Sequence, residues 1–303
     1  MSDNVITVKN LTKDYGKGRG IFDISFELRR GETLGFIGAN GAGKTTTLRN
    51  IMGFLKCDSG EIEVEGLHAW QDAEKIKKFI GYVPGEIAFP DLKTGTAFIK
   101  SQAELLALKD MTYANQLASK LQLDLSAGLK RMSKGMKQKT ALVAALMNDP
   151  EILILDEATT GLDPLMRLAF LEIMECEKRK GKSIIITSHL YEELEKICDR
   201  VALIDKGHII NIIDMKEFRS RTLREYKIEF KNKNDYKDFC KLDYQIIRKQ
   251  PNYNQVTISI EKNALSQLFK ELAMFDVKFI SEVKYTLENA LLANFKDAKA
   301  NEK

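Results

Sequence analysis

Apolar and polar residues alternate along VITVKNLTKDY (5–15) and IFDISFEL (21–28), and this period of two predicts a pair of strands joined by the turn GKGRG. TLGFIG (33–38) is instead a short continuous apolar run. It predicts a buried strand that feeds a glycine-rich turn and then a helix over TTTLRNIMGFL (45–55). From residue 93 the apolar spacing lengthens to three and four in GTAFIKSQAELLAL and YANQLASKLQLDL, which predicts a helical insertion over about 93–140. The order then becomes a helix (KTALVAALM), an apolar strand (EILILD), a helix, a second apolar strand (SIIITS), a helix and a strand pair (RVALIDKGHII). Apolar strands alternating with helices predict an α/β fold whose mostly parallel core sheet is covered on both faces, with the opening strands as an antiparallel β subdomain.

The pattern resets near Met215. YKIEFK, DYKDFCKL, YQIIRKQ, QVTISIE, NALSQLFKELAMF, VKFISEV and a last helix, TLENALLANF, follow in the order β-α-β-β-α-β. The order predicts a small ferredoxin-like α+β domain over 215–303, after a first domain over 1–214.

Composition changes this picture only by exclusion. A chain of 303 residues suits two domains, and 44% hydrophobic with 30% charged residues argues against both disorder and a membrane-embedded chain. A formal net charge of +4 is too slight to signal nucleic-acid binding. Cys57, Cys176, Cys198 and Cys240 are scattered without a C-x-x-C pair, which suits free thiols in a reducing cytosol. MSDNVITVKN lacks the basic and apolar segments of a secretion signal, and no apolar run reaches the ~18 residues that span a bilayer. A membrane process would need another chain to do the crossing.

Candidate chemistry begins with GANGAGKT (38–45), which fits G-x-x-x-x-G-K-[ST] and lies between a predicted strand and a predicted helix. Gly38, Asn40, Gly41, Ala42, Gly43, Lys44, Thr45 and Thr46 are therefore candidate ligands of a nucleoside triphosphate. Glycines let backbone N–H groups wrap phosphate oxygens, Lys44 reaches the β and γ phosphates, and the Thr45 hydroxyl binds Mg2+. ILILDE places Asp156 and Glu157 at the end of a buried strand, where one carboxylate can hold Mg2+ and the next can orient or deprotonate an attacking water. His189 ends the next apolar strand and reads equally well as structural or catalytic. Ser133 and Gly135, in RMSKGMKQK, read alone as part of a solvated basic patch entering a helix. NKND (232–235) matches a guanine-reading motif but lies in the second domain, and no D-x-x-G follows the glycine-rich loop at workable spacing.

In this order, over residues 5 to about 211, the motifs resemble the ATP-binding cassette (ABC) family, the nucleotide-binding subunits of ABC transporters. The resemblance implies a P-loop NTPase fold that binds ATP and Mg2+. It makes MSKGM the signature motif, in the S-K-G-M-x-Q form associated with bacterial export-type (ABC-2-like) subunits. Two cassettes pair head to tail in that family, so Ser133 and Gly135 would meet the γ-phosphate held by a second copy, with Ser133 capping the helix that begins near Met136. The same resemblance assigns Asp156 to Mg2+, Glu157 to the hydrolytic water, His189 to the γ-phosphate, Asp163 to the D-loop and Tyr15 to the adenine ring. One position departs: where the family has a glutamine after GYVP, this chain has Gly85, followed by Glu86. A carboxylate suits Mg2+ at least as well as an amide does, so Glu86 is the expected replacement ligand; the alternative is that metal binding does without it.

The implied function is ATP hydrolysis by a homodimer that powers a separate integral membrane permease, for export, from the cytoplasmic side of the cell membrane, with no nucleic acid involved. Two other classes compete: a soluble ABC-type ATPase that remodels a ribosome or DNA complex, and a nucleotide-gated binding module with little hydrolysis. A single cassette with a short insertion speaks against the first, and intact Glu157 and His189 speak against the second.

Overall fold

The computed structural model describes residues 3–291, in two compact units divided between Met215 and Lys216. The first unit opens with β1 (Asn4–Asp14), β2 (Gly20–Arg29), β3 (Thr33–Ile37), α1 (Lys44–Ile51), β4 (Ser59–Val64), β5 (Leu67–His68), α2 (Ala73–Ile76) and β6 (Ile80–Val83). Three further helices follow, α3 (Gly95–Leu105), α4 (Thr112–Lys120) and α5 (Lys134–Leu146). It closes with β7 (Ile152–Asp156), α6 (Pro164–Arg179), β8 (Ser183–Thr187), α7 (Tyr191–Ile197), β9 (Arg200–Asp205) and β10 (His208–Asp214).

Its strands form two sheets. The core sheet has the order β10-β9-β3-β8-β7-β6, with parallel pairing from β9 to β6 and an antiparallel β10 at the edge. Every residue of β3, β7 and β8 is buried, as expected when both faces of a parallel sheet are covered. The other sheet, β2-β1-β4-β5, is antiparallel. Its inward residues Ile6, Val8, Ile24, Phe26 and Leu28 pack into one core with Leu34, Phe36, Leu48 and Ile154. The carboxyl ends of β3, β7 and β8 therefore open onto the loops that carry the candidate chemistry, the usual position of a ligand crevice in such sheets.

Helix starts follow local chemistry. The Thr94 side chain caps α3 by accepting from the Ala97 N–H, and the Asp163 side chain caps α6 by accepting from the Met166 N–H, with Pro164 at the first turn. β4, β5, α2 and β6 have no counterpart in the sequence expectation. Each is six residues or shorter, which is too short for a period to show.

α8 (Met215–Ser220) leads into the second unit, which contains β11 (Leu223–Phe230), α9 (Lys233–Phe239), β12 (Gln245–Gln250), β13 (Gln255–Glu261), α10 (Leu265–Leu272) and β14 (Val277–Val283). The sheet order is β12-β13-β11-β14, antiparallel throughout, which is the split β-α-β arrangement. Ile228, Phe230, Val256 and Ile258 pack with Tyr236 and Phe239 of α9 and Leu268 and Leu272 of α10. Residues 287–291 are helical, and the rest of TLENALLANF lies outside the described residues. NKND is a helix cap: the Asn232 Oδ1 accepts from the Asp235 N–H at 2.9 Å at the start of α9.

The helical insertion is tied to the core by a buried charge network. Glu177 of α6 is fully buried. It accepts from the Tyr113 hydroxyl of α4 at 2.5 Å and from Lys180 Nζ at 2.9 Å, and it pairs with Lys182. Burial alone would raise its carboxyl, but the bonds from Lys182, Tyr113 and Lys180 hold it below the ordinary carboxylate range. The contribution is thus present above the ordinary carboxylate value and lost as pH falls through the depressed one. Glu177→Ala removes the buried partner of Lys182, which is 6% exposed, and leaves it only the exposed Asp149 at 2.5 Å; it is expected to destabilise the first unit by about 3 kcal/mol in urea unfolding at neutral pH, with a smaller difference near pH 3.

Candidate nucleotide site

The loop between β3 and α1 is shaped by its glycines. Gly41 and Gly43 have φ of 80° and 115°, in the left-handed region that side chains disfavour. A Cβ on Gly43 would also stand 2.5 Å from Ile21 Cγ2. Ala42 is buried, and its carbonyl accepts from the Gly207 N–H at 2.9 Å, so the β9–β10 turn supports the loop. Gly38 lies against the Ile204 carbonyl, where a Cβ would approach to 2.2 Å. Lys44 is 5% exposed, and its Nζ donates to the Gly38 and Ala39 carbonyls at 2.8 and 3.1 Å. Burial lowers the Lys44 pKa, against the opposing pull of Glu157 and Asp156.

Asn40, Gly41, Gly43, Lys44, Thr45 and Thr46 line one cleft with Tyr15, Arg19, Gly20 and Glu157. Tyr15 is half-exposed and ends β1 beyond Asp14, its N–H bonded to the Arg19 carbonyl at 2.8 Å.

Beneath the cleft, Asp156 is fully buried with both carboxylate oxygens bonded. Thr45 Oγ1 donates to Oδ2 at 2.7 Å, and Thr187 Oγ1 donates to Oδ1 at 2.7 Å. Having spent its proton on Asp156, the Thr187 oxygen accepts from the Glu157 N–H at 2.9 Å. Glu157 has φ of 48°, a left-handed backbone uncommon for a residue with a side chain. Its Oε1 meets His189 Nε2 at 2.6 Å. A second trio backs this turn: buried Glu193 accepts at Oε2 from Ser188 Oγ at 2.7 Å and from Thr159 Oγ1 at 2.9 Å. Thr187, Glu193 and Arg19 were not anticipated; for Thr187 the available signal was a hydroxyl ending an apolar strand, two residues before a histidine.

The remaining candidates form a separate group. Ser133 Oγ accepts from the Met136 N–H at 3.2 Å and caps α5, which begins at Lys134. Gly135 lies against the loop 157–163: a Cβ there would come within 2.6 Å of the Gly161 carbonyl. Asp163 caps α6 at the far end of that loop. Ser133, Gly135 and Asp163 do not line the cleft that holds Lys44 and Glu157.

Glu86 is not beside Thr45 and Asp156. The chain bends at residues 85 and 86, setting the Gly85 backbone against Asp156, where a Cβ would stand 3.1 Å from Oδ2. The Glu86 side chain is exposed and lines a different cleft with Ile87, Lys134, Lys137 and Gln138. The donors that do meet, a threonine hydroxyl and one carboxylate, suit Mg2+, which is usually held by one or two carboxylates together with phosphate oxygens and water. Among the described residues no group of three or more His, Cys, Asp or Glu forms a dedicated metal cage.

Residues 21–160 match the family model described as ABC transporter. The linearmycin resistance ATP-binding protein LnrL of Bacillus subtilis (strain 168) is 36% identical over 225 residues, 72% of this chain and 71% of that protein. The uncharacterized ABC transporter ATP-binding protein MJ1023 of Methanocaldococcus jannaschii is 31% identical over 293 residues, 95% of this chain and 98% of that protein. Among solved structures, the dimeric post-hydrolysis state of the ATP-binding cassette MJ0796 bound to ADP and Pi shares the fold, with a TM-score of 0.63 at 20% identity over 69% of this chain and 98% of that chain.

The contact at Gly135 has a measurable consequence. Gly135→Ala puts a methyl 2.6 Å from a backbone carbonyl, whereas Gly128→Ala meets its nearest atom, the Lys93 carbonyl, at an ordinary 3.5 Å. The first is expected to lower unfolding stability by about 1–3 kcal/mol and the second to stay within about 0.5 kcal/mol of wild type in the same urea titration.

Proposed function

The chain belongs to the ABC transporter ATP-binding protein family, and on that premise we propose that it hydrolyses ATP as a homodimer to drive a separate integral membrane permease, in the export direction. The observation that carries the hydrolytic part is the Thr45–Asp156–Thr187–Glu157–His189 chain of hydrogen bonds directly behind the phosphate loop.

Phosphate oxygens entering the loop would face the backbone N–H groups of residues 40–45 and the amino end of α1. Lys44 Nζ would exchange the Gly38 and Ala39 carbonyls for phosphate, and the anion would return its pKa upward. Thr45 Oγ1 and Asp156 are the residues that would hold Mg2+, which when bound offsets the negative charge developing on the phosphoryl oxygens. Glu157 takes the role of general base towards water, and His189 orients its carboxylate through the 2.6 Å contact. Tyr15, at the cleft edge, offers a half-exposed ring face to adenine.

The separation of Ser133, Gly135 and Asp163 from this cleft supports pairing of two copies. Each copy carries half of a complete site, and the amino end of α5 of one is directed to the γ-phosphate on the other. The MJ0796 cassette, dimeric with ADP and Pi bound, is a precedent for such pairing. No helix among the described residues is long and apolar enough to cross a membrane, so the crossing is assigned to the partner. Its docking segment fits a groove lined by the small residues Gly81, Ala141, Ala144 and Ala145 and by Phe89 and Phe98, with exposed Lys77 and Lys78. Peripheral location on the inner face of the cell membrane and the absence of any nucleic-acid partner follow from the same reading. Export is supported by the S-K-G-M form of the signature and by a relative named for linearmycin resistance.

Glu157→Gln is expected to lower kcat for ATP hydrolysis by about 10²–10⁴ while ATP affinity changes less than twofold, since the amide keeps the shape but cannot accept a proton. ATP should then hold two copies together in size-exclusion chromatography. Turnover within a factor of two of wild type would remove Glu157 from the mechanism.

A further inference from the structure

One cleft of the first unit gathers polar groups that the rest of the chain leaves unmatched. Gln138 of α5 is 1% exposed, and its Nε2 is buried without a hydrogen-bond partner. The cleft above it is lined by Gly85, Glu86 and Ile87 from the loop after β6 and by Lys134 and Lys137 from the first turns of α5. Among the described residues the side chains of Glu86, Lys134 and Lys137 have neither a hydrogen bond nor an ion pair. A buried amide N–H without an acceptor is costly and uncommon in native proteins. The cleft contains a single carboxylate to accept from it, that of Glu86.

The other face of the same loop bears on the hydrolytic site. Gly85 has no side chain, and its Cβ position lies 3.1 Å from Asp156 Oδ2. The loop therefore runs beside the carboxylate with no side chain between them, and its position there sets the space around the oxygen that Thr45 also holds.

We propose that Gln138 is a positioning residue for ATP hydrolysis: with nucleotide bound, its Nε2–H donates to the Glu86 carboxylate, Lys137 pairs with the same group, and this clasp holds the Gly85 backbone against Asp156. Glu86 then acts on the loop rather than on the metal. The inference rests on the reading of the chain as an ATPase.

The test is a reciprocal exchange in the full chain. Gln138→Glu faces Glu86 with a second carboxylate and removes the match, and it is expected to lower kcat about tenfold with KM for ATP within twofold; Glu86→Gln keeps an amide oxygen that accepts from Gln138 and loses only the charge that Lys137 pairs with, so its loss should be smaller. The double variant restores the match with donor and acceptor reversed, and its kcat should return to within about threefold of wild type. Half-saturation by Mg2+ should be unchanged in Glu86→Ala; a large rise would instead make Glu86 a metal ligand and overturn the clasp. Gln138→Met provides a check that does not bury a charge. It should lower kcat while raising the Tm, because it deletes an unpartnered buried amide.

Amide hydrogen exchange of residues 84–87 with and without Mg-ADP decides the point independently of turnover. Slowing on nucleotide addition in wild type and the double variant, but not in Gln138→Glu, supports the clasp. A double variant no better than its worse parent, or a loop whose exchange is the same in all four proteins, overturns it. If the wild-type chain binds Mg-ADP but hydrolyses no ATP, the functional reading fails, and the exchange data still decide the clasp.

Discussion

The structure of the site depends on keeping one buried carboxylate fully bonded. Asp156 has no access to solvent, so each of its oxygens must find a donor inside the protein. The donors come from distant parts of the chain: Thr45 at the start of α1 and Thr187 at the end of β8. Gly85 lies beside it on a further side, where even a methyl would stand 3.1 Å from Oδ2. Parallel pairing of β7 with β8 places Asp156 opposite Thr187, and pairing of β3 with β8 brings the phosphate loop alongside. The core sheet thus sets the geometry on which the chemistry relies, and Glu157 inherits its backbone position from the same threonine oxygen.

A buried hub of this kind also explains why the polar support extends inward. Thr187 donates to one neighbour and accepts from the next, which uses both capacities of its hydroxyl. Glu193, Thr159 and Ser188 repeat the device one layer away and fix the turn that carries Glu157. Beyond that turn the chain passes Gly161, against which α5 begins, and reaches Asp163. A shift at the start of α5 therefore has a short mechanical route to the residue beside the phosphate loop.

How much of this was legible in the sequence varied with the range of the interaction. The phosphate loop, the apolar strands ending in Asp156 and His189, and the Ser133 cap are local patterns, in which spacing alone carries the chemistry. Thr187 belongs to a long-range contact, and its one local signal, a hydroxyl at the end of an apolar strand two residues before a histidine, does not say that it bonds Asp156. Glu86 shows the opposite failure. Position suggested a ligand, but the chain bends at residues 85 and 86, and the exposed Glu86 side chain lines the cleft beside α5 while it is the Gly85 position that lies beside Asp156. Gln138 looked like part of a basic surface run and is instead buried, because α5 lays that face on the core while Lys134 stays exposed.

The central claim is that each copy of the chain carries half of two composite sites, with Lys44 and Glu157 in one half and Ser133 in the other. It is tested most directly by mixing two inactive variants, Lys44→Ala and Ser133→Arg, and measuring ATP hydrolysis. In a mixed dimer one site combines the intact phosphate loop of one copy with the intact signature of the other. An equal mixture should recover about a quarter of wild-type activity, since half of the dimers are mixed and each has one complete site of two. A mixture as inactive as its components, with dimers present, would contradict the account.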